Sequence, residues 1–279
     1  MSEQTAKKVD FEKVLQTSVS LLLVYIDRTD FLKRELSKYC SAEMIEVAIE
    51  YNPAYAGISE EIINKIADSC INYKTLKVSS ISFASGIPGG FAMAATVPAD
   101  LTQYYAHVLR IIQKLAYLYG WQSLIGAKGQ LDDETSQLLT LFTGVMFGVK
   151  GTTSAVTKLS ASMAQKVSKT LASKPLTKSV IYPIVKKVAT ILGVKMTREV
   201  FAKGVSKIIP VAGGVISGGL TFVSYKPMAV RFKKYLAGLV LASVDYYNNS
   251  KEKQFSDNEQ PEIIDVNFSD VEVEDIVEE

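Results

Sequence analysis

Residues 100–120 read DLTQYYAHVLRIIQKLAYLYG, and this stretch predicts one long, mostly buried α-helix. An acidic residue suits the N-cap or first turn, and Gly120 is a natural stop. Between them, polar side chains recur at intervals of three and four residues, which places them on one narrow stripe of an apolar cylinder. The members of this polar stripe are Asp100, Gln103, His107, Arg110 and Lys114. The stripe predicts a helix packed against neighbours on most of its sides.

The ionisable members of the stripe are predicted to be structural. Charges beside a long apolar stretch are costly unless they are paired or face water, so we expect Asp100 and Arg110 to satisfy each other or groups around Arg231. His107 is the single histidine, and catalysis would require a nucleophile or a bound substrate within about 3 Å of it. The sequence contains no nucleophile elbow, phosphate loop, zinc-binding pair or dinucleotide fingerprint. We therefore predict no catalytic residue, metal or cofactor.

Helical patterns cover most of the remaining chain. One or two amphipathic helices are predicted within 8–39, a short one at 42–50 and another after Ser59. The apolar residues of 14–26 are interrupted by polar ones and predict neither a signal peptide nor a membrane span. Basic amphipathic helices are predicted from two apolar series and their flanking lysines, Val156, Leu159, Met163, Val167 and Leu171, then Ile181, Ile184, Val185, Val188, Ile191 and Leu192. After Pro227, a final helix is predicted to about Tyr247. The fold class is therefore an all-α multi-helix bundle.

Two uncharged stretches, 78–99 and 208–225, interrupt this pattern with glycine and proline. The first has 22 residues, enough for a helix to cross a bilayer core of roughly 30 Å. Proline and adjacent glycines disfavour a continuous helix, so a broken helix, a re-entrant hairpin or a core turn fits better. We predict two Gly/Pro-rich apolar helical hairpins. Their turn and packing residues are Gly86, Pro88, Gly89, Gly90, Pro210, Gly213, Gly214 and Gly218.

Three G-x-x-x-G spacings lie in apolar context, at 86–90, 144–148 and 214–218. Glycines one turn apart let helix backbones approach closely, which matters most in lipid. Together the three spacings favour membrane insertion over soluble packing.

Charge is distributed very unevenly along the chain. Residues 135–244 carry 16 basic side chains against the single acid Glu199, whereas 245–279 carry 2 basic against 12 acidic. Such asymmetry suggests anionic lipid or nucleic acid as a partner for the basic segment. Because 14 of the 16 cations are lysine, and base readout favours arginine, nucleic acid is not expected. The predicted membrane-binding residues are Lys158, Lys166, Lys169, Lys178, Lys186, Lys187, Lys195, Lys203 and Lys207. The alternative is a solvated lysine face that only aids solubility.

The domain prediction comprises N-terminal helices at 1–58, a helical domain with a Lys-rich middle at 59–248, and a disordered acidic tail at 249–279. The tail is expected to oppose membrane attraction by folding back on the basic helices, or to serve as an interaction or solubility segment. Cys40 and Cys70 are predicted to be unreactive buried thiols in a reducing compartment.

The motifs GIPGG at 86–90, PADL at 98–101, RII at 110–112 and LAYLYG at 115–120 resemble the bacterial EcsC family. The later Ile209-Pro210 with its following glycines is similar to that family's second glycine-rich stretch, so the resemblance covers roughly 60–245. It implies an all-helical, membrane-associated protein of undefined biochemical activity.

The functional prediction is a non-enzymatic protein that binds anionic bilayers through Lys-rich amphipathic helices and apolar hairpins. The expected partners are anionic membrane lipids, with a second copy or a membrane protein as alternatives. The expected location is the inner, cytoplasmic face of the cell membrane, peripheral or partly inserted. The competing functions are a membrane-permeabilising effector and a soluble helical module that binds lipid or protein. A lipid-directed hydrolase ranks last, because no nucleophile set is present.

Overall fold

A computed structural model of the chain describes residues 10–21, 24–77, 99–126, 131–168, 178–195 and 219–256. These residues contain helices and no β-strand, which confirms the all-α prediction. The two predicted Gly/Pro-rich hairpin turns and the tail from residue 257 lie outside the described residues.

Three short helices open the described chain, and each begins where a side chain caps the backbone. The caps are Asp10, Asp27 and Ser41, whose oxygens accept from backbone N–H groups of the first turn. Such caps satisfy donors that have no partner within the helix. The helices are α1 (Phe11–Val19), α2 (Arg28–Leu36) and α3 (Ala42–Glu50), in agreement with the predicted segments.

The next two helices are α4 (Glu60–Lys77) and α5 (Ala99–Leu118). The Ser59 hydroxyl accepts from the Ile62 N–H at 3.4 Å, so α4 begins at the predicted cap. After α5 the chain turns at Gly120, whose φ of +98° lies in the left-handed region that favours glycine. The predicted α5 is therefore confirmed in type and in its C-terminal stop.

Three further helices follow, namely α6 (Asp133–Met146), α7 (Thr152–Ser168) and α8 (Lys178–Lys195). The Asp132 side chain accepts from the Thr135 N–H at 2.7 Å, so the acidic start of α6 is confirmed. Helix α6 ends at Met146, and the chain turns at Gly148, where φ is +68°. The Gly144–Gly148 spacing therefore does not provide two glycines on one continuous helix face, because Gly148 forms the turn after the helix.

The predicted final helix differs from the observed one at both ends. Helix α9 (Gly219–Ala237) contains Pro227 in its interior, and α10 (Val244–Ser256) follows a 3₁₀ turn, Val240–Ala242. The prediction treated Pro227 as the start of a helix that continues past Gly238. Pro227 is tolerated inside the helix on an exposed position, and the chain breaks instead at Gly238.

Helices α5 and α6 form the centre of the bundle. Helix α5 contacts α1, α2, α4 and α9, while α6 contacts α7, α8 and α9 as well as α5. Buried apolar side chains from Phe11 to Tyr247 belong to one continuous core. The predicted N-terminal helices thus share this core with the helical domain after residue 58.

Two buried polar side chains fasten the N-terminal segment to the end of α5. The Arg28 guanidinium, 5% exposed, donates to the carbonyl oxygens of Ala48, Ile49, Tyr51 and Trp121 at 2.6–3.2 Å. Its charge therefore faces the negative end of the α3 dipole. Burial lowers the pKa of Arg28 to about 10.

Gln113 joins α5 to the chain that precedes α2. Its amide nitrogen donates to the Val24 carbonyl at 2.9 Å, and its amide oxygen accepts from the Ile26 N–H at 3.2 Å. This amide is fully buried. Its burial carries little cost, because its nitrogen and its oxygen both form hydrogen bonds with backbone groups. It lies on a different side of α5 from the predicted polar stripe.

Candidate membrane-binding surface

Helix α8 separates an apolar face from an exposed one as the sequence predicts. The buried members are Ile181, Ile184, Val185, Val188 and Leu192, and Ile191 is half-buried. The exposed side is formed by Tyr182, Pro183, Lys186 and Thr190, which we call the outer face of α8. Lys187 beside it is half-buried, and Tyr182 is 52% exposed. An exposed aromatic ring therefore lies one turn from an exposed lysine on a helix that carries no carboxylate.

The predicted lysines of α7 are less accessible than those of α8. Lys158 and Lys166 are both half-buried, whereas Val156 and Leu159 form the buried side of the helix. Lys178 and Lys195 lie in α8, but their side chains are outside the description. The remaining predicted lysines, Lys169, Lys203 and Lys207, lie outside the described residues, as do all eight predicted hairpin residues.

Helix α9 carries a second cationic surface that the sequence analysis did not identify. Its exposed cations are Lys226, Arg231 and Lys234, which we call the α9 row. The opposite side of the helix is buried through Tyr225, Ala229, Phe232 and Leu236. The sequence pattern does indicate this surface, because the apolar residues recur at intervals of four, three and four, and the cations fall between them.

Lys233, next to the α9 row, has a different environment. Its ammonium lies 2.7 Å from a carboxylate oxygen of Asp68 on α4, and its side chain is only 13% exposed. This ion pair fastens α9 to α4. Lysines adjacent in sequence on α9 therefore serve packing in one case and surface charge in the other.

A groove of about 660 Å³ lies where α7 faces the turn between α9 and α10. Helix α7 contributes Thr157, Ala161 and Gln165, and the rest of the lining is Lys234, Tyr235, Gly238, Leu239, Val240 and Tyr246. The lining is mixed: aliphatic and aromatic side chains form much of the wall, and Lys234 belongs to the α9 row. This volume is in the range of ligand-binding clefts.

The polar stripe of α5 lies on the least buried side of that helix. His107, Arg110 and Lys114 are half-buried, whereas almost all other described side chains between Tyr104 and Tyr119 are buried. Asp100 lies in the first turn, but its side chain is outside the description. Ten helical residues separate Asp100 from Arg110, which corresponds to about 15 Å. The expectation that Asp100 and Arg110 satisfy each other or groups around Arg231 stays a prediction, because the Asp100 side chain lies outside the described part of the chain.

Burial and aromatic contact define the environment of the stripe. Burial lowers the pKa of Arg110 and, in the same way, that of Lys114. The Lys114 ammonium lies 5.6 Å from the centroid of the Phe31 ring, within the range of a cation–π contact. The Tyr225 hydroxyl donates to the His107 carbonyl oxygen at 3.4 Å. These contacts serve the packing of α2, α5 and α9.

No group of three His, Cys, Asp or Glu side chains in the described ranges could hold a metal ion. Cys70 is buried and Cys40 half-buried, and burial raises the pKa of both thiols. Protonated thiols are weak nucleophiles at neutral pH, and the burial predicted for both cysteines is observed for Cys70 but only in part for Cys40.

Among the helices of the described ranges, none combines the length and apolar character needed to cross a membrane. Comparison of the chain with protein-family models, with curated proteins and with solved structures finds no match.

Proposed function

We propose that this protein is a non-enzymatic, membrane-associated protein that binds anionic bilayers at the cytoplasmic face of the cell membrane. The observation that carries the proposal is the outer face of α8, where Tyr182 and Lys186 are exposed on a helix without carboxylates. Tyrosine is favoured at the bilayer–water interface, and lysine is attracted by anionic headgroups. The predicted resemblance to the membrane-associated EcsC family supports the same assignment.

The basic segment carries enough positive charge for its attraction to an anionic membrane to support surface binding. Each lysine near an anionic membrane contributes on the order of 1 kcal/mol. Residues 135–244 carry 16 cations and one acid, so a fraction of them facing lipid would supply several kcal/mol. The Gly/Pro-rich stretches at 86–90 and 209–218 are proposed to insert and to make binding resist salt.

The test is flotation of the full-length protein with vesicles of phosphatidylcholine alone or mixed with phosphatidylserine. We expect binding only to the anionic vesicles at low salt, and we expect Lys186→Glu with Lys187→Glu to lower partitioning at least about tenfold. The matched control is Lys13→Glu with Lys33→Glu, which changes net charge equally on exposed positions of α1 and α2. Equal loss in both double variants would mean that net charge, and not the α8 surface, governs binding.

Two further readouts separate the modes of membrane contact. Complete release at high ionic strength would argue against inserted hairpins, because screened surface charge alone then accounts for binding. Tyr182→Ala is expected to weaken binding that persists at high salt, since the ring contributes contact that salt does not screen. Dye release from the same vesicles would show permeabilisation in place of passive binding.

A further inference from the structure

The walls of the groove between α7 and the α9–α10 turn are held in place by hydrogen bonds. The Tyr235 hydroxyl donates to the Thr153 carbonyl oxygen at 2.7 Å and lies 3.0 Å from the Thr157 hydroxyl. The Leu241 N–H donates to the Ser160 hydroxyl at 3.3 Å. Because these hydrogen bonds connect the two walls beside the opening, the groove is a preformed binding site and does not need a ligand to assemble it.

The approach to the groove is cationic. The α9 row leads along one side of its helix to Lys234, which lines the groove, and then to Gly238, which also lines it. Neither α7 nor α9 carries a carboxylate. A ligand that fits this surface would therefore place apolar side chains between Ala161 and Val240 and negative charges along the α9 row.

The chain itself contains a segment of this chemistry. Residues 257–279 hold ten acidic side chains and no basic one. Within them, IIDVNF at 263–268 groups four apolar side chains, and Asp270, Glu272, Glu274 and Asp275 follow. The order is an apolar cluster and then a series of carboxylates, which matches the groove and then the α9 row.

The geometry of α10 allows this segment to return. Helix α10 contributes Tyr246 to the groove and ends ten residues later at Ser256, about 15 Å away along its axis. The seven residues from Ser256 to Ile263 span up to about 24 Å when extended. The apolar cluster therefore has enough chain to reach the groove from the end of α10.

We propose that the acidic tail docks on its own molecule, with residues 263–268 in the groove and residues 270–275 along the α9 row. This intramolecular contact does not depend on membrane binding through α8. The proposal assigns the tail to one binding site, the groove and the α9 row, and leaves the outer face of α8 uncovered.

The experiment places a photoreactive benzoylphenylalanine at position 268 of the full-length chain and irradiates it in dilute solution without vesicles. Cross-links mapped by mass spectrometry are expected within one molecule, on the residues that line the groove. Cross-links between two chains would assign the groove to a second copy and overturn the proposal. Cross-links on α8 or on the N-terminal helices, or none at all, would overturn it as well.

Two substitutions in the groove test whether the cross-link depends on this binding site. Lys234→Glu on an exposed position is expected to lower the cross-link yield about fivefold, because it replaces an attraction by a repulsion. Ala161→Phe is expected to abolish it by filling the groove. The controls are Lys33→Glu and the Lys186→Glu, Lys187→Glu pair, which should leave the yield unchanged. If the Lys234→Glu variant unfolds at the same temperature as the parent protein and gives the same cross-link yield, the α9 row does not take part in binding the tail, which contradicts the proposal.

Discussion

Arg28 is a buried cation whose hydrogen-bond partners in the described part of the chain are backbone carbonyl oxygens. An isolated charge inside a protein is costly, and the cost here is offset by hydrogen bonds from all three guanidinium nitrogens. Three of the four accepting carbonyls, those of Ala48, Ile49 and Tyr51, lie at the C-terminal end of α3, and the fourth belongs to Trp121 after α5. One side chain thus closes the end of α3 and positions it against α5.

Replacing Arg28 should therefore destabilise the bundle strongly. We expect Arg28→Met to lower the free energy of unfolding by about 3 kcal/mol, because several buried carbonyls lose their donor at once. Urea unfolding followed by circular dichroism measures the change. Arg34→Met on the exposed side of the same helix is the control, and we expect less than about 1 kcal/mol there. Comparable losses in the two variants would contradict the structural role given to Arg28.

At the scale of elements, the contact of α6 with α8 depends on a missing side chain. A Cβ atom at Gly144 would lie 2.6 Å from Thr152 Cγ2 and 2.8 Å from Val188 Cγ1. Both distances are well below ordinary van der Waals contact, so the helices could not keep their separation. The glycine therefore permits close packing of α6 against α7 and α8 in this bundle.

Gly144→Ala is expected to cost about 1–3 kcal/mol of unfolding free energy through overpacking. Gly238→Ala is the matched control, because its Cβ would lie 3.7 Å from the nearest atom, the Tyr235 carbonyl oxygen. We expect the control to change stability by less than about 0.5 kcal/mol. Thermal and urea unfolding of the two variants would decide, and a tolerated Gly144→Ala would show that α6 and α8 can separate freely.

The core of the bundle contains several buried tyrosine side chains, contributed by α5, α9 and α10. Burial raises the pKa of Tyr117 and of Tyr235 to about 12. Burial also raises the pKa values of four more, Tyr105, Tyr119, Tyr225 and Tyr247. The chain has 14 tyrosines, so a large share of them should ionise late.

These shifts predict alkaline unfolding with a defined sign. Between pH about 10 and 12 the folded state keeps protons that an unfolded tyrosine has lost, so the free energy of unfolding falls as pH rises. The stabilisation is complete below about pH 10 and is lost as pH passes about 12. Tyrosinate absorbance should show a late phase that coincides with loss of helical circular dichroism. Titration of all tyrosines near pH 10 with the helices intact would contradict the buried assignment.

Much of the helical architecture could be predicted from the sequence, because local signals act within a few residues. Asp132 and Gly120 mark helix ends through hydrogen bonding and backbone conformation alone. The buried side of α8 follows from apolar spacing. The start of α9 was mispredicted, since Pro227 breaks a helix in most contexts but is tolerated here inside the helix at an exposed position.

The helical fold class, the positions of most helices and the distribution of charge all follow from the amino-acid sequence, because periodicity and capping are local properties. The burial of Arg28 and Gln113, the ion pair of Lys233 beside an exposed Lys234, and the groove beside α7 became visible only once the helices were seen packed together. Those outcomes depend on which helices meet, and the meeting residues are tens of positions apart in the chain. Two lysines that are adjacent in the sequence, Lys233 and Lys234, therefore have different roles, because folding places Asp68 beside the first and leaves the second exposed.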